Sequence, residues 1–379
     1  MWTSRYLRRI DFRAVCIIFA LCAISLLIIS SYSGQSLTGE LEETGFFTST
    51  VKKQIQWFCI GWAIFFFFAG FDYNKLREFA WFLYLLTVVA LIGLFFTDPI
   101  QRVHRWYRIP FLSHNLQPSE YAKLAVVIAL SWFLERRASV CRHLSTAIGG
   151  LIIAGIPFLL ILKQPDLGTA LVFFPMTVVI FYFGDLAPFV IRSMLFCGLA
   201  ALVLVCAFFT GIISHEGARP YFSKFLKEYQ YERLNPNTHH QKAASTAIAV
   251  GGVSGVGWKE SEYGRGGSLP YPHTDSAFAA FGEEFGFIGL AILLVLFYGL
   301  LYCSFQVTAV AKDPFGRLLS AGISVFLAVH IMVNIGMMCG ILPITGVPLV
   351  LVSYGGSSVL STMMALGILQ SVYSRRFMF

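Results

Sequence analysis

The stretch "LPYPHTDSAFAAFGEEFGFIG", residues 269–289, places His273, Thr274, Asp275, Glu283 and Glu284 where a Pro-containing segment runs into an apolar one. A carboxylate at such a boundary is costly unless it is paired or used. Partial desolvation would raise the Asp275 pKa toward a value useful to a general base. The same Asp is equally well placed to cap the helix that follows. Glu283 and Glu284 have a plainer explanation, since acidic side chains suit helix N-termini.

Four other stretches carry polar groups inside apolar surroundings. "LQPSEYAKL" sets Gln117 at a helix start and Glu120 and Lys123 at i and i+3 on one face. Intramembrane charges mark a functional interior by default, and a structural ion pair between helices is the competing reading. "VHRWYRIPF" supplies Arg105, Trp106 and Arg108. Trp106 and Tyr107 suit an interfacial anchor, whereas a group of arginines suits a phosphate ligand. "KQPDLGTA" puts Asp166 at a Pro-broken helix junction, tolerated at membrane depth mainly where it lines a cavity. "GILPITGVPLVLVSYGGSS" combines Pro343, Pro348, Gly355 and Gly356 with serines. It reads as small-residue packing beside a polar cavity, with Ser353 and Tyr354 the candidates to face it.

Composition says what must position these groups. The chain has 379 residues, 57% hydrophobic and only 13% charged, with a mean hydropathy of +0.71. Soluble domains carry about 25% charged residues. Several apolar runs reach the roughly 20 residues that span a bilayer as helix. We expect an all-α polytopic membrane protein forming a single transmembrane domain over 1–379. Ten spans are predicted, near 14–33, 54–71, 78–97, 118–135, 146–163, 168–184, 188–212, 282–310, 317–342 and 349–373. Only "QPDLG" separates the fifth from the sixth, so one broken helix is the alternative there. The first run shows no clear small-residue cleavage site and reads as a retained helix.

Lys and Arg in short loops set the orientation. Arg5, Arg8, Arg9, Arg13, Lys75, Arg77, Arg136, Arg137, Arg142, Lys312, Arg317, Arg375 and Arg376 all fall on one side, which is therefore cytoplasmic and holds both termini. The "HTD" and the cluster Arg102, Arg105 and Arg108 face the external side, with one large loop of about 213–281 between spans seven and eight. That loop has aromatic and amphipathic pieces and reads as an ordered cap. Its "AVGGVSGVGW" holds too much Gly for a stable helix and permits close backbone approach to a ligand. The net charge of +8 fits membrane topology and anionic lipid better than nucleic acid. The eight cysteines are scattered without metal-type spacing, and the histidines show no HxxxH. Neither a disulfide framework, a metal–thiolate site nor an organic cofactor is expected.

Together, "RW", "QPSEYAKL", "QPDLGTALV", "YERLNP", "HTD", "EEFGFIG" and "NIGMMCGILPITGVPLVLVSYGGSS" resemble the SEDS family (shape, elongation, division and sporulation), in the family's order and over most of the chain. "RRIDF" and "GVGW" look more like its RodA, or elongation, branch than its FtsW, or division, branch. The resemblance implies a ten-helix bacterial inner-membrane protein that polymerises lipid II, a disaccharide-pentapeptide on undecaprenyl diphosphate, into glycan strands. It also implies that Asp275 is the essential Asp, and that Glu120, Lys123, Arg105 and Asp166 match the family's polar positions. Arg105, Arg108, Arg233 and Lys123 would then be the cations near the leaving diphosphate, with a divalent cation, Mg or Mn, able to share the task. A class B penicillin-binding protein transpeptidase is the implied partner, beside membrane lipids. The family's usual "HTDFIFA" is "HTDSAFA" here, with Ser276 and Ala277, and Tyr263 and Tyr271 replace an upstream Gln and Glu. A lipid-linked precursor flippase and a non-catalytic morphogenesis scaffold are the competing readings.

Overall fold

The structure is a computed structural model that describes residues 8–32, 45–98, 103–109, 114–222 and 228–376. Arg5 and Arg102 lie outside the described residues. The chain runs through α1 (Phe12–Tyr32), α2 (Ser49–Gly70), α3 (Leu76–Gly93), α4 (Pro118–Arg136), α5 (Leu144–Lys163), α6 (Leu167–Phe183) and α7 (Pro188–Phe209). Four short helices follow: α8 (His215–Phe222), α9 (Glu228–Glu232), α10 (His239–Gly251) and α11 (Glu262–Arg265). Three long ones complete the bundle: α12 (Ala277–Val310), α13 (Pro314–Met338) and α14 (Gly356–Ser374). A two-stranded antiparallel hairpin, β1 (Tyr107–Ile109) with β2 (His114–Leu116), precedes α4 and pairs Tyr107 with Leu116.

Among the described residues, the ten long helices coincide with the ten expected spans, and the fifth and sixth are separate helices joined by a short turn. Six of the described helical segments are long and apolar enough by themselves to cross a membrane. The others include α4 and α14, which are buried among their neighbours and so can carry polar groups that lipid would reject. Leu124 to Ser131 of α4 are all buried, as expected of a helix at the centre of a bundle. By contrast, α7 buries little beyond Val190 and Phe208. Close approach of α2 and α14 relies on missing side chains: a Cβ on Gly367 would sit 2.7 Å from the Phe65 carbonyl oxygen.

Two boundaries differ from expectation. The last span starts only at Gly356, because 349–355 is irregular, and α12 starts at Ala277 rather than near 282. Glu283 and Glu284 therefore lie inside α12, not at its N-terminus. Glu283 instead accepts the backbone N–H groups of Tyr263 (3.1 Å) and Gly264 (3.1 Å) in the first turn of α11. Glu284 accepts from the Ser31 hydroxyl and from the Lys259 N–H (3.3 Å). The acidic pair fastens the cap to the bundle.

The Gly-rich stretch has an equally structural use. At Gly286 (φ +63°) α12 breaks, and the backbone groups that the break frees need partners. Residues 252–257 provide them. Val256 and Gly257 N–H donate to the carbonyls of Glu283 (3.0 Å) and Glu284 (3.1 Å), while Phe287 and Ile288 N–H donate to Gly252 (2.9 Å) and Val253 (3.1 Å). A Cβ on Gly255 would lie 2.1 Å from the Glu284 carbonyl oxygen. The close approach expected toward a ligand is thus made to α12 itself.

Candidate active site

Alternation of the long helices brings the C-terminal ends of α3, α5 and α13 and the N-terminal ends of α4, α6, α12 and α14 to one end of the bundle. The Lys- and Arg-rich turns lie at the other end. At the first end, under the cap, is a cavity of about 720 Å³. Arg105, Trp106, Gln117, Glu120, Asp166, Arg233, Thr274, Asp275, Gly355 and Gly356 all line it.

Each wall is held by bonds the sequence makes possible. The hairpin that carries Arg105 and Trp106 is pinned by the Tyr107 hydroxyl, which donates to the Ala90 carbonyl (2.7 Å). That contact needs Gly93, where a Cβ would lie 2.4 Å from the same hydroxyl. Arg105 is spread against the Gln164 carbonyl (Nε, 3.2 Å) and the Pro165 carbonyl. Asp166 caps α6 through the Thr169 N–H (3.3 Å) and accepts from the Thr169 hydroxyl (3.0 Å), the Gln117 amide (3.1 Å) and the Ser119 hydroxyl (3.3 Å). Arg233 donates from Nη1 to the carbonyls of Ile344 (3.2 Å) and Thr345 (3.1 Å). Gly356 lets α14 start under the Trp57 ring, 2.5 Å from where its Cβ would be.

Asp275 differs from its neighbours. It does not cap α12, whose N-cap is Ser276. Its main-chain carbonyl accepts from Asn334 Nδ2 (3.0 Å), yet among the described residues no donor reaches its carboxylate. Burial pushes its pKa above the ordinary value of 3.8, Asp166 adds to the rise, and the positive charges of Arg105 and Arg233 oppose it. Gly346 (φ +73°) passes close by, its Cβ position 3.4 Å from Asp275 Oδ2. The result is a half-buried, unbonded carboxylate with two guanidinium groups in its field.

Four expected residues do not line the cavity. Arg108 lies exposed on β1. Lys123 is fully buried behind Glu120, bonded to Glu120 Oε1 (2.8 Å) and to His330 Nε2 (2.8 Å), with the Ser361 hydroxyl on Glu120 Oε2 (3.1 Å). Ser353 is a buried strut: it accepts the Leu349 N–H (2.8 Å) and donates to the Thr274 carbonyl, while Tyr354 faces the cavity instead. His273 tucks beneath with its ring against Tyr354, and burial lowers its pKa. Sequence reasoning misses His240, which lines the cavity, and Asn334, which supports it, and notes Tyr271, which also lines it, only as a departure from the family's pattern. The spacing of His330 and Asn334 on one face of an apolar helix is the available signal.

Among the described residues, no group of three or more His, Cys, Asp or Glu side chains could hold a metal ion. Asp166 already has four donors and Glu120 its ammonium. The described residues offer no three-ligand cage for a resident divalent cation.

Comparison with known proteins bears on this geometry. The family model of the FtsW, RodA and SpoVE cell cycle proteins matches residues 12–376. Peptidoglycan glycosyltransferase MrdB of Escherichia coli (strain K12) is 31% identical over 372 residues, 95% of this chain and 92% of the relative. A solved chain from a peptidoglycan synthase complex that coordinates polymerization and crosslinking superposes with a TM-score of 0.77 at 26% identity, covering 98% of this chain and 99% of its own. The rod shape determining protein RodA of Thermus thermophilus superposes with a TM-score of 0.70 at 25% identity, over 97% of this chain and 98% of its own.

Proposed function

This chain belongs to the FtsW, RodA and SpoVE family of cell cycle proteins, and from that premise we propose that it is a peptidoglycan glycosyltransferase that polymerises lipid II. It works at the outer face of the bacterial inner membrane, in elongation or division, with both termini in the cytoplasm and a class B penicillin-binding protein beside it. The positive-inside distribution supports that orientation, since the cavity lies at the end of the bundle away from the Lys- and Arg-rich turns.

The observation that carries the reading is Asp275. A general base needs an unprotonated oxygen, free of competing donors, with a pKa raised toward working pH. Asp275 takes the proton from the acceptor sugar 4-hydroxyl as that oxygen attacks the anomeric carbon of the donor. The bond to the lipid diphosphate breaks on the opposite side, so configuration inverts. Negative charge grows on the departing diphosphate, and Arg105 and Arg233 are already fixed to receive it. Once the diphosphate engages them, they oppose the rise of the Asp275 pKa less, and the base strengthens. Lys123 acts from behind, by holding Glu120. A Mg or Mn ion sharing that charge would have to arrive on the diphosphate, because the described residues offer no cage for it.

The test is polymerisation of lipid II by the purified protein with its transpeptidase, comparing wild type with Asp275→Asn. Glycan chains from wild type and none from a folded Asp275→Asn are expected. Equal polymer from both would remove Asp275 as the base. No polymer from either would return the question to transport or scaffolding.

A further inference from the structure

One imidazole that lines the cavity has no part in the mechanism above. His240 stands in the first turn of α10 and lines the same cavity as Asp275. Its Nε2 lies 2.7 Å from the hydroxyl of Ser276, the residue that follows Asp275. That hydroxyl has a single proton, which it donates to the Pro270 carbonyl (2.7 Å), an oxygen that can only accept. Ser276 Oγ must therefore accept from His240, which fixes the proton on Nε2 and leaves Nδ1 as a lone-pair acceptor. Ser276 is fully buried and cannot exchange its partners for water. Burial and the neighbouring His239 lower the His240 pKa, which keeps the ring neutral. Among the described residues no group occupies Nδ1.

We propose that His240 is an acceptor-sugar residue, taking a hydrogen bond at Nδ1 from a hydroxyl or acetamido N–H of the saccharide whose 4-hydroxyl Asp275 deprotonates. This rests on the glycosyltransferase reading and adds a contact to it. Orienting a sugar takes neutral acceptors beside the carboxylates and guanidinium groups, and this imidazole is locked in the form that provides one. The hydrogen bond to Ser276, the residue next to Asp275 in the chain, couples its position to that of Asp275.

Two amides separate this role from simple tethering. Asn places an acceptor oxygen near the position of Nδ1, whereas Gln places its amide near Nε2 and keeps only the bond to Ser276. Initial rates against lipid II concentration would be measured for wild type, His240→Asn and His240→Gln. Equilibrium binding of lipid II would be measured for the same changes in an Asp275→Asn background. Loss of one hydrogen bond to substrate corresponds to about tenfold in affinity. We expect His240→Gln to raise KM about tenfold and His240→Asn distinctly less, with kcat changing little and binding following KM. The reverse order, with His240→Gln the milder, would assign His240 a tether only and overturn the inference. Equal, small effects of both would overturn it too. A wild type that polymerises while this order fails sinks the inference alone. A wild type that neither binds nor polymerises lipid II removes the reading beneath it and the inference together.

Discussion

Replacing Asn334 by Leu tests whether the active carboxylate is held from behind. Asn334 is fully buried in α13, and its Nδ2 bridges the main-chain carbonyls of Asp275 (3.0 Å) and Val347 (2.7 Å). It is the tie between α13, the Asp275 segment and the 344–348 wall. Leu keeps the volume and removes both bonds. Each buried carbonyl stranded without a partner costs about 1–3 kcal/mol. Asn334 Oδ1 is itself buried without a hydrogen bond, so its removal returns part of that cost. The net loss of stability should be about 1–3 kcal/mol, small enough for the protein to fold. Function should suffer more. The reaction needs Asp275 within hydrogen-bond reach of one hydroxyl, and a shift on the order of 1 Å costs about 100-fold. A kcat lower by roughly tenfold to 100-fold, with KM for lipid II nearly unchanged, is expected in the polymerisation assay. An Asn334→Leu protein of normal melting behaviour that keeps its kcat would refute the idea that this bridge positions the base.

Asp275 and the cap give three further predictions. Because its pKa is raised and the base acts deprotonated, activity should be lost as pH falls through a value above 3.8. Arg233→Gln removes one of the two charges that oppose burial, so the acid limb of the rate profile should move to still higher pH, and an unmoved limb would count against that coupling. Gly255→Ala should destabilise by about 2–4 kcal/mol, because its Cβ would meet the Glu284 carbonyl, whereas Gly267→Ala, also at positive φ but with open space around it, should cost about 1–2 kcal/mol. Thermal melts in detergent would compare them; equal losses would mean that strain alone, not the clamp on α12, explains the glycine.

Most spans are legible because a bilayer demands about 20 apolar residues in a row, and six of the described helical segments meet that demand by themselves. Their ends are less so. Residues 277–281, "AFAAF", read as the approach to a span, yet they form the first turns of α12 because the cap covers them. The Gly-rich stretch reads as non-helical, but sequence cannot say that its partner is the break at Gly286, which looks like any Gly in an apolar run. In the site, the carboxylates are conspicuous because charge is rare in apolar context. His240 and Asn334 carry no charge and escape notice. Lys123, Ser353 and His273 look like cavity residues because i,i+3 and neighbour relations give a shared face, not the direction in which a side chain finally points.

The way the arginines are held explains how Asp275 stays available. Two guanidinium groups near a carboxylate would ordinarily close on it as a salt bridge and spend the base. Here Arg105 is tied to the carbonyls of Gln164 and Pro165, and Arg233 to those of Ile344 and Thr345. Both act on Asp275 through their field, but among the described residues neither forms a salt bridge with it. The other acids lining the cavity are compensated in place: Glu120 by Lys123 and Ser361, Asp166 by its four donors, and Glu232 at 4.0 Å from Arg219. The cavity therefore enters the reaction with its cations fixed in advance and one acid unspent, an arrangement that stabilises developing charge without reorganisation. Releasing Arg105 or Arg233 from those carbonyls would cost activity by letting the base be neutralised, even though every charged residue remained.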